Sequence, residues 1–457
     1  MSLTKAKKKA VVDLTNGSIV KGMISFAVPV FLGQLLQQFY NMADAWVVGN
    51  FADNDAFAAV SSAGSLIFFI TGFFSGIAIG GGVVISRYVG AENKDMISKS
   101  IHTNFLFGIL ASILATVVGV LLVPQLLIWM KVPESVVVNS RMYFSIYFGG
   151  VSTVIMYNVG MSILRALGDS IHPLYYLAVS SVTNVVLDLL FVAVFHWGVA
   201  GAAIATVISQ GLSAVLCIIQ MSRLQDETAR LCLKKIKFHK KIMGEVIRQG
   251  LPTGIQNSVI SIGNMVVQTN INSFGAFAMS GHGAYAKIEG LVFMPITSMS
   301  MTLPTYISQN LGAGKVDRAK KGALFGIVSG MLMAEAVGVI CYFFAKHALR
   351  IFVDTPEAIA YGEIHAQVVS LFFFLLAFSH CAAGVLRGCG KAIVPMITML
   401  SFWCGVRIIY VTQTLKVIPK FATISWAYPL TWTLSSIVFL IFLLKSDWTK
   451  VWQKKEK

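Results

Sequence analysis

Charge is the scarcest property of this sequence. Asp, Glu, Lys and Arg make up only 12% of it, against roughly a quarter in an average soluble domain, which argues against a soluble enzyme. Acid is scarcer still, with 20 Asp and Glu against 36 Lys and Arg and a net charge of +16. In a more polar chain that excess would point to nucleic acid. Here the bases sit at the ends of apolar segments, as they do beside a bilayer, and no nucleic-acid partner is expected. Paired cysteines are missing too: Cys217, Cys232, Cys341, Cys381, Cys389 and Cys404 form no CxxC and mostly fall in apolar stretches. That excludes a disulfide framework and a zinc ribbon, leaving them as small core residues. The eight His show no HExxH spacing, and His380 reads as a hydrogen-bonded helix residue. Gly80-Gly81-Gly82 lacks the Lys-Ser or Lys-Thr of a phosphate loop. No cofactor and no catalytic residue are expected, and energy for any work must come from an ion gradient or from downhill flow.

What the sequence has in abundance is apolar surface, 56% of its residues. About 20 apolar residues cross a bilayer as a helix, because hydrocarbon offers the backbone no hydrogen-bond partner. Twelve such stretches can be drawn, at 22–47, 56–86, 102–127, 136–162, 174–195, 198–222, 250–272, 279–306, 322–345, 361–386, 395–416 and 422–444. The basic start at Lys5, Lys7, Lys8 and Lys9 leads through a polar stretch into a full-length span, without the pattern of a cleaved signal. With the N-terminus inside, more than three quarters of the Lys and Arg fall on inner loops and tails. Both termini are therefore expected in the cytoplasm.

An internal repeat organises the chain. At an offset of 222, Ile85-Ser86 with Gly90-Ala91 and Asp95 fall on Ile307-Ser308 with Gly312-Ala313 and Asp317; Leu164-Arg165, Gly168, Ile171 and Pro173 fall on Leu386-Arg387, Gly390, Ile393 and Pro395. At 223, Pro29 and Asn41-Met42 fall on Pro252 and Asn264-Met265, and Pro133-Glu134 on Pro356-Glu357. The expected fold is all-α and integral to the membrane: twelve helices in two pseudo-twofold related six-helix bundles. Residues 1–222 form an N-terminal lobe, 223–245 a basic cytoplasmic linker, and 246–457 a C-terminal lobe with a cytoplasmic tail. Such a parallel repeat places a substrate path between its halves near the midplane and argues for a carrier. In the second span, Gly72, Gly76 and Gly80 mark a close helix contact.

Four acids lie inside the spans: Asp44, Asp188, Glu289 and Glu335. Each costs roughly 2.5–3.5 kcal/mol at a helix centre, so each needs a partner, a proton or water. On the first span Gln34, Gln37, Asn41 and Asp44 recur at spacings of three and four, one helical face. The fifth span carries Asn184 and Asp188 at i and i+4. Two carboxylates with amide oxygens suit sodium or a shared proton, and the spacing does not choose between them. The seventh span repeats the stripe without an acid, as Asn257, Ser261, Asn264 and Gln268. The eighth carries Lys287 and Glu289, two apart and so on different faces, followed by Pro295 and Pro304, which would kink or break it and free carbonyls. Arg407, mid-span in the eleventh, is placed to neutralise Glu289 or Glu335. Met and Phe are frequent, and those that face a cavity, Met294 among them, would supply adaptable apolar lining.

These residues resemble the multidrug and toxic compound extrusion family, within the superfamily that includes polysaccharide and lipid-precursor flippases. The resemblance rests on Asn41-Met42-Ala43-Asp44, Val89-Gly90-Ala91, Leu311-Gly312-Ala313, Leu164-Arg165-Ala166-Leu167-Gly168, Leu386-Arg387-Gly388 and the Asn184 to Asp188 pair, across nearly the whole chain. It implies two six-helix bundles in a V shape around a central cavity and export of cationic or amphiphilic organic molecules against sodium or protons. A monomer in a bacterial cell membrane is implied as well. By resemblance, Asp44, Asn184, Asp188 and Thr206 form the cation-coupling and possible sodium site. The cavity is then lined by Gln34, Gln37, Asn41, Asn257, Asn264, Gln268, Lys287, Glu289, Met294 and Arg407. The acids that the NorM-like branch carries in its seventh and tenth spans correspond to Ile260 and Leu376 here, which places coupling in the N-terminal lobe, as in the DinF-like branch. The alternative is a flippase for a lipid-linked precursor, which would want several bases in the cavity; Lys287 and Arg407 are two candidates.

Overall fold

A computed structural model describes residues 11–52, 54–130 and 132–450, with the side chains of 54–58, 61–66 and 68 left aside. The basic cluster from Lys5 to Lys9 and the last seven residues lie outside it. Every apolar stretch becomes one helix or one broken helix. The first half contains α1 (Ile19–Phe51), α2 (Asn54–Gly90), α3 (Lys94–Trp129), α4 (Glu134–Gly149), α5 (Val151–Ala166), α6 (Ile171–Asp188) and α7 (Gly198–Ser222). The second contains α8 (Lys240–Asn272), α9 (Ala276–Gly312), α10 (Val316–Leu349), α11 (Pro356–Val369), α12 (Phe373–Gly388), α13 (Ile393–Met399), α14 (Arg407–Val417) and α15 (Phe421–Lys445). Among the described residues nine helices, or ten with the α4–α5 pair bent by 44°, are long and apolar enough to span a membrane by length and composition. The two that fall short, α8 and α9, have 33 and 37 residues; the polar stripe and the Lys240–Glu245 start dilute the first, and Lys287 with Glu289 the second. Outward-facing Leu114, Leu121, Leu332 and Phe343, each more than 60% exposed, present the apolar surface that hydrocarbon requires.

The repeat survives down to single hydrogen bonds. Gly168 and Gly390 both lie in the left-handed region, φ +90° and +83°. The N–H of the next residue reaches back in each case, Asp169 to the Leu164 carbonyl at 2.9 Å and Lys391 to that of Leu386 at 2.8 Å, the closing bond of a Schellman cap. After α2 and α9 the pattern recurs: Asn93 donates to Tyr88 and Lys315 to Asn310, around Glu92 and Gly314 at positive φ. The fifth and eleventh spans each contain a π-helical turn, Leu189–Val194 and Leu400–Val406. Pro295 and Pro304 do not break α9, which runs continuously through both. The breaks fall at Gly149–Gly150 and at the 3₁₀ turn Ser370–Phe372. There the Phe374 N–H, at the start of α12, donates to Glu335 Oε2 at 3.2 Å, so this intramembrane acid serves a helix N-terminus.

Among the described residues two compact units emerge, 11–13 with Val28–Gly254, and Leu14–Ala27 with 255–450. The change of unit falls within two helices, beside Pro29 in α1 and Pro252 in α8, rather than at the basic linker. This grouping follows packing. Within the first unit, a Cβ on Gly76 would meet the Gly254 nitrogen at 2.5 Å, and one on Gly80 the Gly250 nitrogen at 2.2 Å. Small residues on both helices let α2 and the first half of α8 touch backbone to backbone. Glu245, already helical, accepts from the Tyr88 hydroxyl at 3.1 Å and pairs with Arg87 at 3.8 Å, both ends buried. The linker itself is anchored where the Cys232 N–H donates to His102 Nε2 at 3.0 Å. All six cysteines are free thiols. His380 lies inside α12, its carbonyl accepting from the Ser300 hydroxyl at 2.8 Å; its Nε2 has no partner among the described residues, and its ring stands edge-on to Phe293 and Trp403.

Candidate functional site

Four helices of the first unit converge on one polar centre. From α1 come Tyr40 and Asp44, one turn apart; from α6, Asn184 and Asp188, also one turn apart; from α7, Thr206. Tyr143 and Tyr147, stacked 6.3 Å apart at 12°, come from α4. Asn184 and Asp188 are fully buried, and Tyr143, Tyr147 and Thr206 nearly so, while Asp44 and Tyr40 are half-buried. The Asp44 and Asp188 carboxyl groups lie within hydrogen-bond reach of each other. The Tyr40 and Thr206 hydroxyls share a hydrogen bond. Both tyrosines Tyr40 and Tyr143 lie within the electrostatic reach of the two acids.

The chemistry of the centre follows from which atoms lack donors. Asp44 Oδ1, both oxygens of Asp188 and both amide atoms of Asn184 are buried without a hydrogen-bond partner among the described residues. Buried polar groups are almost always satisfied, and two ionised carboxylates in contact have acceptors only. At about 4 Å and an effective dielectric constant near 20, two like charges repel by about 4 kcal/mol. A proton between them or a hard cation on their oxygens removes that repulsion, and the Asn184 carbonyl and Thr206 hydroxyl are oxygen donors of the kind sodium accepts. Asp188 also ends α6 where the π-helical turn begins, a geometry common at functional positions because it turns one residue out of helical register.

Within each unit, the residues expected to line a cavity differ in burial and in partners. On α1, Gln37 and Asn41 are exposed and Gln34 is half-buried, so the amide stripe and the Tyr40–Asp44 edge face different surroundings. In the second unit Arg407 is buried and engaged: its Nη2 and Nε donate to Thr431 Oγ1 at 3.0 and 3.3 Å and its Nη1 to Asn264 Oδ1 at 3.4 Å. Its guanidinium lies over Tyr428, 4.5 Å from the ring centre. Glu289, half-buried, is within electrostatic reach of Arg407, whereas Glu335 has its own partner at Phe374. Lys287 points elsewhere, with Nζ 5.3 Å from the Phe352 ring. Gln268 donates to Asn272 at the exposed end of α8. Asn257 is half-buried, and Met294 is buried with its carbonyl accepting from Ser298. Ile260 and Leu376 supply no acid in the second unit.

Sequence reasoning missed the three tyrosines. Tyr40 stands one turn before Asp44, and Tyr143-Phe144 repeats as Tyr147-Phe148 one turn later; that spacing was the available signal, but aromatic residues in an apolar run read as packing.

Comparison with known proteins agrees with this architecture. The chain is 27% identical over 393 residues, 86% of its length and 87% of the relative's, to the "Probable multidrug resistance protein YpnP" of Bacillus subtilis. It is 25% identical over 392 residues, 84% and 83%, to the "Probable multidrug resistance protein NorM" of Thermotoga maritima. Among solved structures, a MATE transporter in complex with MaL6 superposes with a TM-score of 0.89 at 19% identity, covering 97% of this chain and 99% of that one. A superfamily transporter from Pyrococcus furiosus, described as having a binding pocket of reversed polarity, gives 0.88 at 19%, covering 94% and 97%. The MatE family model matches twice, over residues 29–190 and 252–411, once in each half of the repeat, and the chain belongs to the MatE family of multi-pass membrane transporters.

Proposed function

We propose that the protein is a multidrug exporter that exchanges cationic or amphiphilic organic molecules for sodium ions or protons by alternating access. It would work as a monomer in a bacterial cell membrane with both termini in the cytoplasm, needing no cofactor and catalysing no covalent step. The observation that carries this reading is the contact between Asp44 and Asp188 inside the first unit. A carboxyl pair that cannot stay doubly ionised without a cation or proton is a coupling device, because its occupancy changes the free energy of the state that holds it. The names of the relatives, multidrug resistance proteins, support the substrate class. Export is favoured over the flippase reading by the engagement of Arg407, a base that reading would draw on, with Thr431, Asn264 and Tyr428.

Efflux of a fluorescent organic cation from vesicles, with sodium and proton gradients imposed separately, tests the proposal. Transport driven by one gradient supports exchange and names the ion; no transport of any organic cation under either gradient overturns it.

A further inference from the structure

The segment between α7 and α8 carries a run of uncompensated bases on the first unit. Between Glu227 and Glu245 the chain has no acid, while Lys234, Lys235, Lys237, Lys240 and Lys241 all stand exposed. Among the described residues none of these five ammonium groups enters an ion pair. Asp226, at the other end of the segment, has Lys94 within electrostatic reach instead. Two large apolar side chains are set among the lysines and turned outward, Leu233 at 73% and Phe238 at 58% exposed.

Their exposure is not a failure of packing. The same segment buries Ala229 and Leu231 and packs Ile236 against the core of the first unit. Its 3₁₀ turn, Leu233–Lys235, is closed by the Lys235 N–H donating to the Cys232 carbonyl at 2.9 Å. Its depth is fixed by α3. That helix carries Lys94, Asp95, Lys99 and His102 in its first turns and then runs from Phe105 to Trp129 without a charged residue, so hydrocarbon begins within about one turn of His102. The segment is bonded at that level, by the Cys232 N–H to His102 Nε2 and by His239 Nδ1 to Thr103 Oγ1 at 3.1 Å. Leu233 and Phe238 therefore face outward at the boundary between polar and apolar surroundings, where Phe and Leu flanked by Lys have the composition of an interfacial anchor.

We propose that residues 233–241 form a binding surface for anionic lipid, with Leu233 and Phe238 entering the edge of the bilayer beside α3 and the lysines holding phosphodiester headgroups around them. Clusters of about four to eight bases next to a span are drawn to anionic leaflets, and salt screens the attraction. Lipid fits this surface better than a soluble polyanion does, because a nucleic acid or an acidic peptide would leave both apolar side chains in water. On the topology proposed above, the leaflet is the cytoplasmic one. The surface does not depend on the export reading, and its test involves no transport.

The experiment uses the full-length protein in phosphatidylcholine nanodiscs that contain dibrominated phosphatidylglycerol or dibrominated phosphatidylcholine as the quencher. Phe238→Trp introduces an indole whose emission is read as the difference from wild type, and Leu233→Trp supplies a second position if the first variant does not fold. The introduced indole is expected to be quenched by both lipids, with a preference for phosphatidylglycerol of at least about fivefold, the effect of one base near an anionic surface. The preference should fall toward one in about 1 M salt, where the Debye length is about 3 Å, and in the Lys234→Gln/Lys235→Gln/Lys237→Gln background, while quenching by phosphatidylcholine remains. No quenching by either lipid overturns the placement at the bilayer edge. Equal quenching by the two lipids at low salt overturns recognition of the anionic headgroup. Loss of quenching when polyglutamate is added at low salt overturns lipid as the occupant.

Discussion

Asp44 and Asp188 stand on different helices of one unit with their carboxyl groups within hydrogen-bond reach, and among the described residues no base neutralises Asp44 Oδ1 or either oxygen of Asp188. A structural acid inside a membrane normally finds a cationic or N–H partner, as Glu335 does at the start of α12. Asp44 and Asp188 face each other instead. Stability alone would favour replacing such a pair with apolar residues of similar size, so its presence asks for a functional account.

The Tyr40–Thr206 hydrogen bond holds α1 against α7 beside the pair. Tyr40→Phe removes one neutral hydrogen bond, worth about 1 kcal/mol net, without changing the packing. The half-saturating concentration of the coupling ion should rise about fivefold, one kcal/mol as an equilibrium constant, with the maximal rate little changed. Transport measured as a function of ion concentration checks it; an unchanged half-saturation would remove Tyr40 from the site.

Close approach of α2 to α8 depends on glycine. A Cβ on Gly80 would sit 2.2 Å from the Gly250 nitrogen, where backbone has no room to yield, so Gly80→Ala should destabilise by about 1–3 kcal/mol through overpacking. Gly244→Ala, on the same α8 where nothing lies within 4 Å, should be neutral or stabilising. Thermal unfolding of both variants in detergent separates the two. Equal melting temperatures would mean that the helices do not meet there.

The buried pair of Glu245 with Arg87, supported by the Tyr88 hydroxyl, fixes the start of α8 in the first unit. Glu245→Ala removes the carboxylate from the buried Arg87 guanidinium and the Tyr88 hydroxyl, at a cost of about 3–5 kcal/mol. The double change Arg87→Met with Glu245→Leu should recover most of it, because both charges of the pair leave together and apolar groups of similar size replace them. Detergent-phase melting of the single and double variants tests this; a double variant as unstable as the single one would contradict it.

In the loop after α7, Asp226 accepts from the Thr228 hydroxyl at 2.6 Å and from its N–H at 2.9 Å. These bonds, the hydroxyl's first, hold its carboxyl below the usual carboxylate range. A depressed folded-state value means that the contribution is present above the ordinary Asp value and lost as pH falls through the lowered one. Hydrogen exchange at the Ala229 and Arg230 amides, which bond to the Asp226 carbonyl, should accelerate at acid pH beyond the intrinsic rate. Asp226→Asn should abolish that excess.

The acids were legible in the sequence because a carboxylate in an apolar run is costly and therefore conspicuous, and because i, i+4 spacing joins Asn184 to Asp188. The repeat was legible because caps such as Leu164 to Gly168 and Leu386 to Gly390 need the same residues to close the same hydrogen bonds. Tyr40, Tyr143 and Tyr147 stayed hidden because hydropathy counts an aromatic ring as packing and ignores its hydroxyl. The seating of α8 in the first unit was also hidden. Lys240 to Glu245 reads as a solvated loop, and only the three-dimensional partner Arg87 turns that stretch into buried helix. Lys287 fell on the expected span, but its contact with Phe352, a partner far along the chain, could not be read from spacing.

The central claim is that the Asp44–Asp188 pair couples export to an ion. Its most direct measurement is gradient-driven efflux of an organic cation from vesicles containing the wild-type protein, Asp44→Asn or Asp188→Asn, with equal insertion verified. The account predicts that the wild type responds to an imposed sodium or proton gradient and that both variants lose that response. Undiminished gradient-driven efflux by both variants would contradict it.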